Sequence, residues 1–330
     1  MKIKHVLVRS TLLPMALILL CTGDTTAQKQ PSVRVRMNQL LGLSPQKMPP
    51  KVEILHTSEE GDVIIEDLRF QADSDTWVPA MVVKPRGVTR PLPAIICLPG
   101  TSGTRQHLTD AHLHLTEFPR TGWARALARQ GFLTISLDYR GSEARNQNIY
   151  LDAVREQLAG RNFMGLLVHE TIRAVDYLQT RADVEGAKLG ITGFSLGGAI
   201  TWYTAAAEPR LSVIVPVCGG AGTYDDLLRS KPNANYHSQY FYPAGFLKLF
   251  PGDQPEVFAS LAPRAVLVVG RDQDQGMTIA GLRKLEQQIK TVYASRKIPE
   301  RFAVHVTAGE HTYTDEMFAQ VGAWFVRFLK

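Results

Sequence analysis

The sequence predicts an α/β protein with a mostly parallel, twisted sheet and helices on both faces. From residue 91 onward, short apolar runs alternate with segments of helical periodicity, which is typical of strand–helix–strand units. The clearest helix, Phe163–Thr180, places Val168, Ile172 and Val175 on one face. With 330 residues, of which 45% are hydrophobic, the chain can form one large core.

The elements are expected in a regular order. Residues 28–50 are polar and rich in proline, apart from a short helix around Val33–Leu41. Strands are predicted at residues 52–56, 63–71, 77–84, 91–98, 132–137, 187–192, 211–217, 265–270 and 302–307. Helices are predicted at residues 121–130, 163–180, 282–293, after Ser195 and after Thr314. Residues 219–255 are predicted to form an irregular segment that folds over Ser195 as a small lid.

The first 27 residues resemble a secretory signal peptide. A basic start with Lys2 and Lys4 leads into an apolar stretch at residues 12–20, too short to span a bilayer as a mature helix, and Ala27 ends a small-residue cleavage site. A lipid anchor on Cys21 and an uncleaved anchor are the alternatives. We expect a secreted or periplasmic protein with a signal peptide at 1–27, an N-terminal arm and extra strand at 28–61 and the main domain at 62–330.

The charge and the cysteine content argue against a nucleic-acid-binding protein and against a disulfide-stabilised one. Cleavage removes three positive charges and one negative charge, so the net charge falls from +6 to +4 with no dense run of Lys or Arg. Neither nucleic acid nor, after cleavage, a membrane is therefore expected as a partner. Cys97 and Cys218 would be the only cysteines left. A strand between them would hold them about 10 Å apart, too far for a disulfide.

Residues 189–198 predict a strand, a sharp turn and a helix. The turn, residues 193–197, reads Gly-Phe-Ser-Leu-Gly, the G-x-S-x-G pattern that lifts a strained serine above a sheet. Gly193 and Gly197 leave room for the turn, and Gly198 allows the helix to pack closely on the strand. The pattern also occurs in ordinary strand–helix turns, so a nucleophilic Ser195 requires partner residues.

Those partners follow two later strands. His311 lies in the loop after the last strand, where it can accept the proton of Ser195. Asp272 and Asp274 both follow the strand at residues 265–270. Asp274 is favoured as the acid that orients His311, because the apolar Met277 comes three positions later, and Asp272 remains the alternative. The order serine, aspartate, histidine is that of the α/β-hydrolase fold, which predicts acyl transfer through Ser195, Asp274 and His311.

Backbone N–H groups are expected to stabilise the oxyanion. One belongs to Leu196, directly after the nucleophile, and the other to Thr101, in the loop after the strand at residues 91–98. A nearby polar segment could hold a metal, but a polar rim loop is favoured because H-x-H spacing is unspecific. The residues of this segment that could bind a metal are His107, Asp110, His112, His114 and Glu117. Neither a metal nor another cofactor is expected.

Several short segments carry a family resemblance: Leu-Asp-Tyr-Arg-Gly at residues 137–141, Val-Asp-Tyr-Leu at 175–178, the turn at 193–198 and Gly-Glu-His at 309–311. They resemble secreted bacterial α/β-hydrolases of the dienelactone-hydrolase-like and acetyl-xylan-esterase-like group, and the resemblance covers residues 62–330. Dienelactone hydrolases have a cysteine nucleophile where this chain has Ser195, and glucuronoyl esterases have an arginine where it has Leu196. The resemblance implies a serine esterase that needs no cofactor.

The expected substrate is a small-molecule or oligosaccharide ester with a short acyl group, above all an acetyl ester of a carbohydrate. Residues 219–255 are rich in Tyr and Phe, which can stack on a sugar, although the same aromatics could serve only to pack the segment onto the sheet. A secreted serine peptidase of the same fold and a non-catalytic hydrolase-like binding protein are the alternatives. The former normally carries a propeller, which about 60 preceding residues cannot form.

Overall fold

The computed structural model describes residues 31–44, 49–101, 103–110, 121–145, 147–230, 241–243 and 245–330. Residues 32–330 form one compact unit. The predicted signal peptide at residues 1–27 and the residues His112, His114 and Glu117 lie outside the described residues. Within the described part, no helix has the length and apolarity needed to cross a membrane.

A single nine-stranded sheet has the order β1-β2-β3-β5-β4-β6-β7-β8-β9. The pairs that join β1, β2, β3 and β5 are antiparallel, and all pairs from β5 through β4 to β9 are parallel. This is the expected α/β-hydrolase fold, with a mostly parallel sheet. The strands are β1 (Val52–Glu60), β2 (Val63–Gln71), β3 (Trp77–Pro85), β4 (Leu92–Leu98), β5 (Leu133–Leu137), β6 (Val184–Phe194), β7 (Leu211–Val217), β8 (Ala265–Arg271) and β9 (Phe302–Thr307).

Helices cover both faces of the sheet, as predicted. Side chains alternate along each strand, so in β4 the residues Ile96 and Leu98 face one core while Ile95 and Cys97 face the other. The first core is closed by α1, α5, α6 and α10, and the second by α3 and α11. The helices are α1 (Val33–Leu41), α2 (Arg105–Thr109), α3 (Trp123–Arg129), α4 (Ile149–Leu158), α5 (Phe163–Thr180), α6 (Leu196–Ala207), α7 (Tyr224–Arg229), α8 (Phe246–Leu249), α9 (Gln254–Ala259), α10 (Ile279–Ser295) and α11 (Asp315–Leu329).

The N-terminal helix α1 is part of the first core. It buries Met37 and Leu41 there, and the end of the helix lies directly on α5. Gly165 of α5 makes this approach feasible, because a Cβ at that position would lie 1.8 Å from the carbonyl oxygen of Leu41. The arm before β1 is therefore anchored by apolar burial rather than by its polar residues.

The predicted irregular segment at residues 219–255 is wrong in part, because it contains α7, α8 and the start of α9. Asp253 joins two of these helices: its carboxylate caps α9 by accepting from Gln254 N–H and also accepts from Tyr224 N–H at 2.8 Å. Phe246 and Phe250 are buried against Tyr203 of α6. These two phenylalanines therefore have a packing role, as the alternative held, but they pack the segment onto α6 rather than onto the sheet.

Candidate active site

A strained turn between β6 and α6 holds Ser195. The residue has φ 57° and ψ −119°, a left-handed conformation that side chains rarely adopt. Two glycines make the turn sterically feasible: a Cβ on Gly193 would lie 2.5 Å from the backbone of Gly197, and one on Gly197 would lie 2.3 Å from Leu98 O. The N–H of Ser195 donates to Val217 O at 2.9 Å, which fixes the turn to β7. The expected G-x-S-x-G turn is present with its serine partly exposed.

His311 lies between Ser195 and Asp274. Its Nε2 is 2.8 Å from Ser195 Oγ, and its Nδ1 is 2.9 Å from Asp274 Oδ2. A carboxylate only accepts hydrogen bonds, so Nδ1 carries the proton toward Asp274 and Nε2 is left to accept from the serine hydroxyl. Asp274 is buried, and its second oxygen accepts from Gly276 N–H at 2.8 Å. The arrangement can polarise the Ser195 hydroxyl for attack.

Asp272, the alternative acid, has a different contact. Its Oδ1 accepts from the N–H of Gly309 at 2.8 Å, and its own N–H donates to Thr307 O. These bonds tie the loop after β8 to the loop after β9. Asp272 therefore supports the His311 loop, and Asp274 is the acid that contacts the imidazole.

Cys218 is buried in the second core, as predicted, and it also lies beside this site. It directly follows β7 with φ 49°, and its Sγ, a carboxylate oxygen of Asp274 and a ring nitrogen of His311 lie within 4.8 Å of one another. Burial, and next the charge of Asp274, raise the pKa of the Cys218 thiol well above its usual value, so it stays protonated. Its position at the carboxyl end of the strand next to β6 was the available signal.

Side chains here that could bind a metal ion already form hydrogen bonds with other groups of the protein. In the described part of the chain, Cys218, Asp274 and His311 are the group whose donor atoms are close enough to share an ion. The direct bond between Asp274 and His311 accounts for their proximity without one. His107 of the predicted polar segment caps α2, since its Nδ1 accepts from Thr104 N–H at 3.0 Å.

Of the two expected oxyanion donors, Leu196 lies at an element end, whereas Thr101 lies in the loop after β4 and is not among the described residues that line the cleft. Leu196 is the first residue of α6, so its N–H has no carbonyl partner within the helix and borders the cleft beside Ser195. Thr101 follows Gly100, whose carbonyl oxygen accepts from the Tyr139 hydroxyl and from Gly103 N–H. The start of this loop packs against the turn that holds Ser195, because a Cβ on Gly197 would lie 2.5 Å from Pro99 O.

Ser195 opens into a cleft of about 290 Å³, at the lower end of the size range of ligand sites. Its described lining contains the carboxylates of Asp274 and Glu310 and no Lys or Arg. Aromatic walls come from Trp202, Tyr224 and Tyr242. A small cleft whose described walls carry no Lys or Arg is suited to an uncharged ligand.

The chain is similar to several known proteins. A family model described as abhydrolase matches residues 20–317. The chain belongs to the abhydrolase family. YtaP of Bacillus subtilis (strain 168) is a curated protein of similar sequence that is provisionally named a hydrolase. It is 27% identical over 299 residues, which cover 90% of this chain and 97% of YtaP. A Yersinia pestis protein provisionally named a carboxymethylenebutenolidase is 29% identical over 143 residues, or 42% of this chain and 47% of that protein.

Solved structures of esterases share this fold. A glucuronoyl esterase from Solibacter usitatus aligns with a TM-score of 0.66 at 16% identity, covering 87% of this chain and 91% of its own. Acetyl xylan esterase 1 from Thermoanaerobacterium sp. aligns with a TM-score of 0.60 at 16% identity, covering 89% and 93%. The α/β-hydrolase fold and the resemblance to dienelactone-hydrolase-like and acetyl-xylan-esterase-like proteins are confirmed, while secretion stays a prediction.

Proposed function

We propose that this abhydrolase is a serine esterase that cleaves short-acyl esters of carbohydrates. The observation that carries the proposal is the position of His311, with Ser195 Oγ at 2.8 Å from one ring nitrogen and Asp274 Oδ2 at 2.9 Å from the other. Three groups in this order supply a nucleophile, a base and an acid that orients the base.

The reaction proceeds in two acyl-transfer steps. Ser195 Oγ attacks the ester carbonyl while His311 Nε2 takes the hydroxyl proton, and the N–H groups of Leu196 and Thr101 stabilise the oxyanion. The C–O bond to the alcohol breaks as His311 returns the proton to the leaving oxygen. Water, deprotonated by His311, then attacks the acyl-serine, and His311 returns this proton to Ser195 Oγ as the bond to the acyl group breaks and the acid leaves. Asp274 keeps the imidazole in the productive tautomer and stabilises its charged form.

The cleft favours an uncharged, compact substrate. Its described walls carry no Lys or Arg, so a free carboxylate on the substrate would meet only the carboxylates of Glu310 and Asp274. The esterases that share the fold include enzymes named for acetyl xylan and glucuronoyl esters. Acetyl esters are preferred here because Leu196 stands where glucuronoyl esterases have arginine. The same proposal includes three further points. The protein is exported, the hydrolase domain begins at residue 62 after the N-terminal arm, and no nucleic acid is a partner.

Acyl-chain dependence tests this function. Initial rates on 4-nitrophenyl acetate, butyrate and octanoate, initial rates on the amide 4-nitroacetanilide, and acetate release from acetylated xylo-oligosaccharides would be measured for the wild type and Ser195→Ala. We expect kcat/KM to fall from acetyl to octanoyl, because extra methylenes exceed a small cleft. A steady rise with chain length would instead indicate a lipase-like enzyme, and hydrolysis of amides in preference to esters would indicate a peptidase. No hydrolysis and no Ser195 dependence would favour a binding protein.

A further inference from the structure

Two consecutive residues after β5 hold both ends of the loop that follows β4. Asp138 Oδ1 accepts from Arg105 N–H at 2.7 Å, and the Arg105 guanidinium donates to the other carboxylate oxygen. The next residue, Tyr139, donates from its hydroxyl to Gly100 O. Asp138 and Tyr139 are both buried. Residues 100–105 are therefore tied to the end of β5 by side chains that have little freedom to move.

The Tyr139 hydroxyl keeps its proton near pH 7. Burial, and next the charge of Asp138, raise the pKa of Tyr139 well above its usual value. A phenol that is not ionised can donate, and a backbone carbonyl can only accept, so the direction of the bond to Gly100 O is certain. The ring of Tyr139 belongs to the first core, so its packing fixes where the hydroxyl lies.

Holding Gly100 O also fixes the N–H of Thr101, because the two groups belong to one peptide unit. In a planar trans peptide the C=O and the N–H point in opposite directions, and this peptide is trans. Gly103 N–H also donates to Gly100 O, at 3.0 Å, so two partners hold the carbonyl. In the described part of the chain, no hydrogen bond uses the Thr101 N–H. That N–H is available to an acceptor on the side opposite to Tyr139.

The strand order places the nucleophile and Tyr139 on opposite sides of this loop. Strands β5 and β6 flank β4, with Tyr139 two residues after β5 and Ser195 directly after β6. Leu98, the last residue of β4, pairs with Gly193 of β6, so the loop after β4 begins level with the turn that holds Ser195. A carbonyl held from the β5 side leaves the N–H of the same peptide unit on the β6 side.

We propose that Tyr139 is a positioning residue for the oxyanion hole: its bond to Gly100 O aims the Thr101 N–H at the ester oxygen that becomes negative when Ser195 attacks. Tyr139 is not among the described residues that line the cleft, so it acts through the peptide unit and not on the substrate. The inference rests on the proposed esterase function and adds the residue that orients the second oxyanion donor. Because the oxyanion forms only during the reaction, the bond stabilises the transition state rather than the bound ester.

Replacing the carbonyl oxygen of the substrate by sulfur tests this role. Values of kcat/KM would be measured for the wild type and Tyr139→Phe on 4-nitrophenyl acetate and on its thiono analogue, whose sulfur accepts hydrogen bonds only weakly. We expect Tyr139→Phe to lower kcat/KM on the oxygen ester by about tenfold or more. The thiono ester gains little from the oxyanion hole in either enzyme, so the oxygen-to-sulfur ratio of kcat/KM should fall by a similar factor.

Tyr293→Phe is the matched control. Tyr293 is also buried, its hydroxyl donates to a backbone carbonyl, Arg264 O, at 2.7 Å, and it does not line the cleft. Its oxygen-to-sulfur ratio should equal that of the wild type. An equal loss on both esters in Tyr139→Phe, or unchanged values, would show that Tyr139 only supports the fold and would overturn the proposal. Absence of Ser195-dependent hydrolysis in the wild type would instead refute the underlying esterase function, and this role with it.

Discussion

Asp274 Oδ2 lies 2.9 Å from His311 Nδ1, while Asp272, two residues earlier in the same loop, accepts from Gly309 N–H. The two acids thus divide two tasks. One contacts the imidazole directly, and the other holds the loop that carries it. Substitution of each by asparagine separates these tasks, because the side-chain shape is kept.

Asp274→Asn should lower kcat by about a thousandfold or more, because an amide that donates to Nδ1 favours the wrong imidazole tautomer. Asp272→Asn should cost less than about tenfold, since an amide oxygen can still accept from Gly309 N–H. Steady-state kinetics on an acetyl ester would measure both. If Asp272→Asn were the crippled variant, the assignment of Asp274 as the orienting acid would be wrong.

Much of this site was predictable because parallel strands present their carboxyl ends at one edge of the sheet. Ser195 follows β6, Asp274 follows β8 and His311 follows β9, so strand order alone brings the three loops together. The order of the elements was predictable for a related reason: buried strands and amphipathic helices leave strong periodic signals.

Other features depend on contacts between residues distant in sequence. Helices α7 and α9 are short and gain stability from Asp253, which bonds to backbone N–H groups of both. Strand β1 extends to Glu60, beyond the predicted residue 56, because its pairing with β2 orders polar residues that have no apolar pattern. The position of Cys218 beside Asp274 follows only from the packing of β7 against β6 and β8.

The strained turn predicts a stability effect. Gly197→Ala would place a Cβ 2.3 Å from Leu98 O and 2.5 Å from Pro99 O, both backbone atoms that cannot move aside easily. We expect a loss of about 2–3 kcal/mol in the free energy of unfolding. Gly186→Ala is the control, because its Cβ would meet only the flexible amide of Gln179 at 3.2 Å. Urea unfolding that showed equal, small losses in both would contradict the steric account.

Acid stability should depend on Asp183. Burial alone would raise its pKa, but hydrogen bonds from Arg181 and Lys84 outweigh this and lower the pKa to about 2. Because the folded pKa lies below the unfolded value of about 3.9, the carboxylate stabilises the fold above about pH 4, and this contribution is lost as pH falls toward 2. Partial exposure limits it to roughly 1 kcal/mol.

Urea unfolding of wild type and Asp183→Asn at pH 7, 4 and 3 would measure this dependence. The difference in unfolding free energy should be largest at pH 7 and narrow as the pH falls. Glu53→Gln, which breaks the exposed pair with Arg69, is the control and should change stability by only a few tenths of a kcal/mol at any of these pH values. A pH-independent difference for Asp183→Asn would contradict the ion-pair explanation.

The central claim is that Ser195 forms the acyl-enzyme, and covalent labelling tests it most directly. The wild type, Ser195→Ala and Ser212→Ala would be treated with a fluorophosphonate, and intact mass, peptide mapping and residual esterase activity would be followed together. Ser212 is the control because its hydroxyl donates to Leu189 O in β6 and lies outside the cleft. We predict one adduct on Ser195 in the wild type and in Ser212→Ala, with loss of activity in step, and neither adduct nor activity in a folded Ser195→Ala. Esterase activity retained by pure Ser195→Ala, or an inactivating adduct on another residue, would contradict the account.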